Sequence, residues 1–115
     1  MTHATARALC LEPAGATDDQ PFGPDVLVFR MGGKIFALLS LDASPPALSL
    51  KADPEDVVER QEAFASVGPG YHLNKRHWIT VALDGEVPVD TLRAWIADSH
   101  GRVRASLPAR VRAAL

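Results

Sequence analysis

Two adjacent glycines, Gly32 and Gly33, separate two runs of residues that favour β-strands. The flanking runs, Val26–Met31 and Lys34–Leu41, are rich in branched and aromatic side chains. Because glycine readily adopts the positive φ angles that tight turns require, this pattern predicts a β-hairpin. A hairpin is antiparallel, so the chain cannot form a purely parallel sheet of the Rossmann type.

Helix and strand signals alternate along the rest of the chain. Asp53 precedes Pro54 and further acids, which is the arrangement of a capped helix start, and Asp90 precedes an apolar stripe with helical spacing. The further predicted elements are a helix over Thr2–Leu11, a strand over Ala47–Lys51, a helix from Asp53 to about Val67, a break at Gly68-Pro69-Gly70, a loop over Tyr71–Arg76, a strand over His77–Leu83, a helix capped by Asp90 and a short terminal helix over Ser106–Leu115.

These elements follow the order α-β-β-β-α-β-α, with one more short helix at the end. Such an order fits an α+β fold in which helices cover one face of an antiparallel sheet. A chain of 115 residues can bury one core, so we expect a single domain over residues 1–115. We expect the large aromatic side chains in that core: Phe29, Phe36, Phe64, Trp78 and Trp95.

Several classes of protein are disfavoured by features that the sequence lacks. Cys10 is the only cysteine, which excludes an internal disulfide, and we expect it to be a small buried residue. The longest strongly apolar run, Ile35–Leu41, is much shorter than the roughly 18 residues of a membrane span. The first residues do not resemble a secretory leader. We therefore expect a cytoplasmic protein that does not enter a membrane.

Two groups of residues could be read as chemical sites, but neither is complete. Asp98, Ser99 and His100 are hydrolase residue types, yet consecutive helical residues point about 100° apart and cannot face one another. His72 and His77 have no nearby carboxylate or thiol to complete a metal site. No glycine-rich nucleotide loop is present. We expect no catalytic residues, no cofactor, no bound metal and no enzymatic activity.

Basic residues are distributed unevenly, although the formal net charge is only -2. From Arg93 onward arginines dominate and predict a local basic surface: Arg93, Arg102, Arg104, Arg110 and Arg112. The lysines are few: Lys34, Lys51 and Lys75. Their compact ammonium groups suit a phosphate or another point-like anion. They are equally consistent with solvated charges that deter pairing at a sheet edge.

The stretch Gly70–Val81, which reads GYHLNKRHWITV, resembles the signature of the MmcQ/YjbR family. Shorter matches occur in the family's order at Pro21-Phe22-Gly23, Gly33–Leu38, Leu50–Pro54 and Asp84–Pro88. The resemblance implies a fold like that of the frataxin-type (CyaY-like) domains and DNA binding through a double-winged surface. The chain departs from the family's Ser-Tyr pattern at Ser99-His100.

Two functional hypotheses remain open. In the first, the resemblance implies a DNA-binding protein in which Lys75, Arg76, His72 and Lys51, together with the C-terminal arginines, contact phosphates and Tyr71 contacts bases. In the second, the same loop belongs to a non-enzymatic domain that binds another protein or a small anion, as the negative net charge favours. We expect a monomer or a small homo-oligomer in either case. The predicted binding residues are Lys34, Lys51, Tyr71, His72, Lys75, Arg76 and His77.

Overall fold

In a computed structural model that covers residues Met1 to Leu115, the chain forms four helices and six strands. The elements are α1 (His3–Cys10), β1 (Thr17–Asp19), β2 (Val26–Met31), β3 (Lys34–Ser40), β4 (Ala47–Lys51), α2 (Pro54–Ala63), β5 (Val67–Pro69), β6 (Trp78–Ala82), α3 (Val89–Ala105) and α4 (Ala109–Ala113). The strands build one sheet in the order β1-β2-β3-β4-β6-β5, and all neighbours are antiparallel. The predicted α+β fold with an antiparallel sheet is confirmed.

Helices α1, α2 and α3 share one core with a single face of the sheet. Along β4 and β6, Leu48, Leu50, Ile79 and Val81 are fully buried and belong to this core. The residues that alternate with them point to the opposite side, because successive side chains of a strand alternate between faces. We call that opposite side the open face; its members include Leu38, Ser49, Lys51, Trp78 and Thr80.

A β-bulge in the β2–β3 pair changes how α3 is attached to the sheet. The register shifts after Phe29, and the additional residue Phe36 joins Ala37 in the core. Beside the bulge, the hydroxyl of Ser99 accepts a hydrogen bond from the Lys51 amide (2.9 Å) and donates one to the Phe36 carbonyl (2.6 Å). Ser99 is fully buried. Its hydroxyl therefore continues the β3–β4 ladder where direct pairing has ended.

His100, the residue that departs from the family pattern, has a structural position. Its side chain is buried, and its Nε2 lies 2.9 Å from the Ala14 carbonyl oxygen. The imidazole also packs edge-on against Phe36, with ring centroids 5.3 Å apart. His100 thus fixes the segment after α1 against α3 and faces the core.

The predicted end of α2 was wrong. The helix ends at Ala63 and not near Val67, because Phe64 takes an extended conformation with φ -136° and ψ 128°. Val67 then pairs with Val81 in the edge strand β5. The predicted Gly68-Pro69-Gly70 break falls largely within this strand, where an edge position tolerates a proline that has no amide hydrogen.

The predictions also missed β1 and the start of α3. Strand β1 consists of polar residues and pairs with β2, where Arg30 forms a salt bridge with Asp19. Helix α3 begins after Pro88, so Asp90 is not its N-cap but lies in the first turn. Asp90 accepts a hydrogen bond from Arg93 across that turn (2.8 Å).

Most core predictions are confirmed, with Trp78 as the exception. Phe29, Phe36 and Trp95 are buried, and Phe64 packs against Trp95 with ring centroids 5.7 Å apart. Trp78 is only half-buried and lies on the open face, because Ile79 takes the neighbouring core position. Cys10 is buried as predicted, and burial raises the pKa of its thiol to about 12. None of the helices is both long and apolar enough to cross a membrane.

The exposed residue Gly101 offers a test of helix energetics. It lies inside α3, its φ is not positive, and a Cβ built there would meet no atom within 4 Å. We expect Gly101→Ala to raise the free energy of unfolding by about 0.5–1 kcal/mol, because alanine loses less backbone entropy in a helix. Chemical denaturation with an unchanged slope would measure the gain, and a loss of stability would contradict the open environment of this position.

Candidate functional site

The three lysines and the signature loop lie at one end of the sheet. Strand β3 begins at Lys34, β4 ends at Lys51 and β6 begins at Trp78. Because β3, β4 and β6 are consecutive antiparallel neighbours, these residues share one end, which we call the loop end. The loop itself, residues 70–77, joins β5 to β6 there. The end of α3 reaches the same place, since Ser106 Oγ lies 3.3 Å from Lys34 Nζ.

The beginning of the loop is fixed against the open face. The amide of Gly70 donates to the Trp78 carbonyl (3.1 Å), and the amide of Tyr71 donates to Thr80 Oγ1 (2.9 Å). Thr80 Oγ1 is also 2.8 Å from Ser49 Oγ on the neighbouring strand. Gly70 passes so close to β6 that a Cβ built on it would lie 2.6 Å from Trp78 Cβ.

The second half of the loop is held by polar contacts. Lys75 Nζ donates to the Gly70 carbonyl (3.0 Å), and the Arg76 amide donates to Asn74 Oδ1 (2.9 Å). The His77 carbonyl accepts from the Ala52 amide (2.8 Å), which ties the loop to the residue after β4. Lys75 therefore contributes to the shape of the loop, while the Arg76 guanidinium is exposed and makes no hydrogen bond within the protein.

Tyr71 and His72 form an aromatic pair outside the core. Their ring centroids are 4.0 Å apart, with 49° between the planes. The Tyr71 side chain is 72% exposed, and His72 is exposed too. His72 is the only residue other than glycine with a positive φ (59°), a conformation that most side chains disfavour. The loop thus presents two rings to solvent on a backbone that hydrogen bonds hold in place.

Salt bridges divide the cations into two groups. Each arginine of the first group contacts at least one carboxylate: Arg7, Arg30, Arg60, Arg93 and Arg102. The second group has no salt bridge: Lys34, Lys51, Lys75, Arg76, Arg104, Arg110 and Arg112. Its first four members lie at the loop end or in the loop, and Arg104 lies in the last turn of α3, which also reaches that end.

The predicted basic surface from Arg93 onward is therefore only partly present. Arg93 contacts Glu12 (2.9 Å) and Asp90 (2.8 Å), so it is not free. Arg102 lies between the carboxylates of Asp53, the N-cap of α2, Asp56 in α2 and Asp98 in α3. Its hydrogen bond to Asp98 raises the pKa of its guanidinium. Arg112 donates to the carbonyls of Ala105 and Leu107. Only Arg104 and Arg110 remain without a partner in this segment.

Free carboxylates lie mainly elsewhere. The opposite end of the sheet, where β2 begins and β3 and β6 end, carries four acids without a salt bridge, and we call it the acidic end: Asp25, Asp42, Asp84 and Glu86. Three more lie on the exposed side of α2, and the first of them is in the first turn, near the loop end: Glu55, Glu59 and Glu62. The small net charge thus conceals a separation of charge along the strands.

Sequence reasoning missed a polar joint between α2 and α3. Arg60 is 12% exposed, and its guanidinium carbon lies 4.8 Å from the centre of the Trp95 ring. Its Nη2 lies 3.9 Å from Asp56 Oδ2 and 3.7 Å from Asp98 Oδ2. The joint binds two helices together and lies on the helix side of the sheet. Asp98, which stands beside Ser99 and His100 in the sequence like a hydrolase residue, is therefore a structural partner of Arg60.

The remaining open-face residues were also missed, although a sequence signal exists. Thr80 stands between Ile79 and Val81, and this alternation predicts that its side chain faces away from the core. The structure confirms that Thr80 pairs with Ser49 there. No three His, Cys, Asp or Glu side chains lie close enough together to hold a metal ion. The arrangement offers cations, hydroxyls and aromatic rings, which are groups for binding an anionic or aromatic ligand.

Comparison with known proteins gives consistent results. Residues 11–102 match the family model named YjbR. The chain is 43% identical over 101 residues to YbdF of Escherichia coli, described as uncharacterized, and the match covers 88% of this chain and 83% of YbdF. It is 32% identical over 88 residues to YjbR of Escherichia coli, also described as uncharacterized, covering 76% of this chain and 75% of YjbR.

Two solved structures are similar over most of the chain. The crystal structure of Deinococcus radiodurans protein DR2400, with the domain DUF419, has a TM-score of 0.91 and 36% identity, and covers 98% of this chain and 86% of that protein. A crystal structure of a Pseudomonas syringae protein has a TM-score of 0.78 and 27% identity, and covers 90% of this chain and 99% of that one.

Proposed function

The chain belongs to the YjbR family, and we propose that it is a non-enzymatic protein that binds nucleic acid, DNA in the first instance, through phosphates at the loop end of its sheet. One observation carries this proposal. The cations without salt bridges concentrate at the loop end. Of the seven carboxylates without a salt bridge, four lie at the acidic end and three along α2, where only Glu55, in the first turn, is near the loop end. Phosphate neutralisation supplies most of the affinity in non-specific nucleic-acid binding.

Lys51 and Arg76 are the proposed principal phosphate contacts. Neither side chain has a hydrogen-bond acceptor within the protein, so binding a phosphate would not require breaking an existing contact. Lys75 uses one of its three donors on the Gly70 carbonyl and keeps two for a ligand. Lys34 contacts only a serine hydroxyl. His77 directly follows Arg76, and His72 lies three residues before Lys75 in the same loop.

The proposal predicts a specific response to the loss of two cations. We expect the double variant Lys51→Ala/Arg76→Ala to bind oligonucleotides more weakly, by a similar factor for unrelated sequences, because phosphates carry no base information. The dependence of log affinity on log salt concentration should fall by roughly 1.5 to 2 units, close to one unit for each lost contact. Fluorescence anisotropy with labelled oligonucleotides at several salt concentrations measures both quantities.

The matched control is the double variant Arg7→Ala/Arg93→Ala. It changes the net charge by the same amount, but its arginines lie on α1 and in the first half of α3 and are already paired with carboxylates. Exposed ion pairs contribute only about 0–1 kcal/mol to stability, so this variant should stay folded. Equal losses of affinity in the two double variants would mean that only total charge matters, and would contradict a site at the loop end.

If the unaltered protein binds neither duplex nor single-stranded oligonucleotides near physiological salt, the proposal fails. A domain that binds another protein or a small anion at the same loop then becomes the leading hypothesis.

Three expectations from the sequence stay predictions: a cytoplasmic location, an assembly no larger than a small homo-oligomer and a likeness to frataxin-type domains.

A further inference from the structure

We infer that the ligand is single-stranded nucleic acid, laid across the loop end of the open face with an unpaired base stacked on the Tyr71–His72 pair. This inference rests on the proposed function, because it names the form of nucleic acid that the site would select. It is carried by the exposed aromatic pair and by the chemistry of the sheet face on which that pair is anchored.

The first observation is the conformation of the aromatic pair. Tyr71 is the only tyrosine of the chain, and 72% of its side chain is exposed. It gains little from burial, yet its backbone is fixed by the bond from its amide to Thr80 Oγ1. The adjacent His72 holds a positive φ of 59° and keeps its ring 4.0 Å from the tyrosine ring. A ring with a free face on a fixed backbone is suited to stack on a base.

The second observation is the surface beside the pair. The open face at this end combines the half-buried Trp78 with Lys51, its register partner on β4. The next row holds the Thr80 and Ser49 hydroxyls, 2.8 Å apart. In this row Ser49 is only 7% exposed and Val28 is fully buried, so the accessible groups at this end are Lys51, Trp78 and the two rings of the loop. Aromatic rings close to cations at one end of a sheet are a common means of binding single strands.

Duplex binding has less support at the same place. In a duplex, the base faces are already stacked and cannot reach Tyr71 unless a nucleotide is extruded. Leu107 occupies one side of the exposed hairpin turn: a Cβ at Gly32 would lie 2.5 Å from Leu107 Cδ1. Arg112 holds Leu107 there by donating to the Leu107 carbonyl (2.8 Å).

The test compares single strands that have the same number of phosphates but different bases, with a duplex that has twice as many phosphates. The probes are a labelled oligothymidylate, an abasic oligodeoxynucleotide of the same length, a duplex of that length and an oligouridylate. We expect the protein to bind oligothymidylate about tenfold or more tightly than the abasic strand, because each base stacked on an aromatic ring adds affinity. Oligouridylate determines whether ribose is accepted as well as deoxyribose.

Variants separate stacking from other effects of Tyr71. Tyr71→Leu keeps an apolar side chain but removes the ring, and should lower affinity for oligothymidylate about tenfold while leaving that for the abasic strand unchanged. Tyr71→Phe keeps the ring and should bind like the unaltered protein. His72→Asn removes the second ring and places there a residue that tolerates positive φ. It should lower affinity for oligothymidylate less than Tyr71→Leu does. Circular dichroism confirms that each variant is folded.

The outcomes distinguish this inference from the proposed function. Equal affinity for oligothymidylate and the abasic strand, with no effect of Tyr71→Leu, overturns base stacking and leaves phosphate binding intact. Tighter binding to the duplex than to oligothymidylate overturns the choice of single strands in the same way. Failure to bind all four probes overturns both the inference and the proposed function.

Discussion

Replacing Ser99 by alanine is expected to lower the free energy of unfolding by about 2–4 kcal/mol, although it removes a single oxygen atom. The Ser99 hydroxyl bridges the Lys51 amide and the Phe36 carbonyl at the end of the β3–β4 ladder. Alanine would leave both of these backbone groups without a partner, and each unsatisfied buried group costs about 1–3 kcal/mol. For a domain of this size the midpoint of thermal unfolding should fall by roughly 10 °C or more.

Differential scanning calorimetry or urea denaturation would measure this loss. Ser106→Ala is the matched control, because Ser106 follows the same helix but is exposed to solvent. Removing the Ser106 hydroxyl should change the free energy of unfolding by less than about 1 kcal/mol. If Ser99→Ala is as stable as the unaltered protein, the bulge must close by direct pairing of the two strands, and the hydroxyl is not the link between α3 and the sheet.

Gly70→Ala is expected to damage both the fold and the proposed binding surface. A Cβ at this position would lie 2.6 Å from Trp78 Cβ and 3.1 Å from the Trp78 carbonyl oxygen, and these atoms belong to a strand that cannot easily move. We expect a loss of about 1–3 kcal/mol in stability, as for other overpacked sites. The loop would also move away from β6, so the amide of Tyr71 would lose its hydrogen bond to Thr80 Oγ1. Affinity for single strands should fall about tenfold or more.

Gly68→Ala is the control for this variant, two residues earlier in the chain. A Cβ at Gly68 would meet no atom within 4 Å, and its φ is not positive. Its stability should therefore stay within about 0.5–1 kcal/mol of the unaltered protein. Thermal unfolding and oligonucleotide affinity are measured on both variants. Equal behaviour of the two would show that the loop tolerates displacement from Trp78, and would contradict the inference that a fixed loop backbone holds the Tyr71 ring in place for binding.

Elements with strong local signals were predictable from the sequence. The Gly32-Gly33 turn and the strands around it follow from the conformational freedom of glycine, and the β4 boundaries at Ala47 and Lys51 agree with the structure. Elements formed by tertiary contacts were not predictable. Strand β5 exists because Val67 reaches Val81, and β1 has a polar sequence that depends on pairing with β2. Neither contact has a local signal.

The same distinction applies to the candidate site. The lysines converge because strand order places the start of β3 and the end of β4 together, which the predicted hairpin and third strand already implied. The pairing of the arginines was only partly predictable: Arg93–Asp90 and Arg102–Asp98 follow from helical spacing of three and four residues. The contacts of Arg93 with Glu12 and of Arg102 with Asp53 join residues that are distant in sequence and have no local signal. The sequence likewise did not determine whether Tyr71 is exposed, because a tyrosine in a loop is as often an anchor for the turn as a ring exposed to solvent.

The separation of charge along the strands gives the molecule a dipole moment that its net charge of -2 does not reveal. In the field of a polyanion such a dipole experiences a torque, which turns the loop end forward before contact. If the loop end docks on a nucleic acid as proposed, the acidic end would lie beyond the screening length of about 8 Å in physiological salt, because a five-residue strand alone spans roughly 13–17 Å. The attraction would then act at contact distance while the repulsion is screened, and an acidic protein could approach an acidic polymer in one orientation.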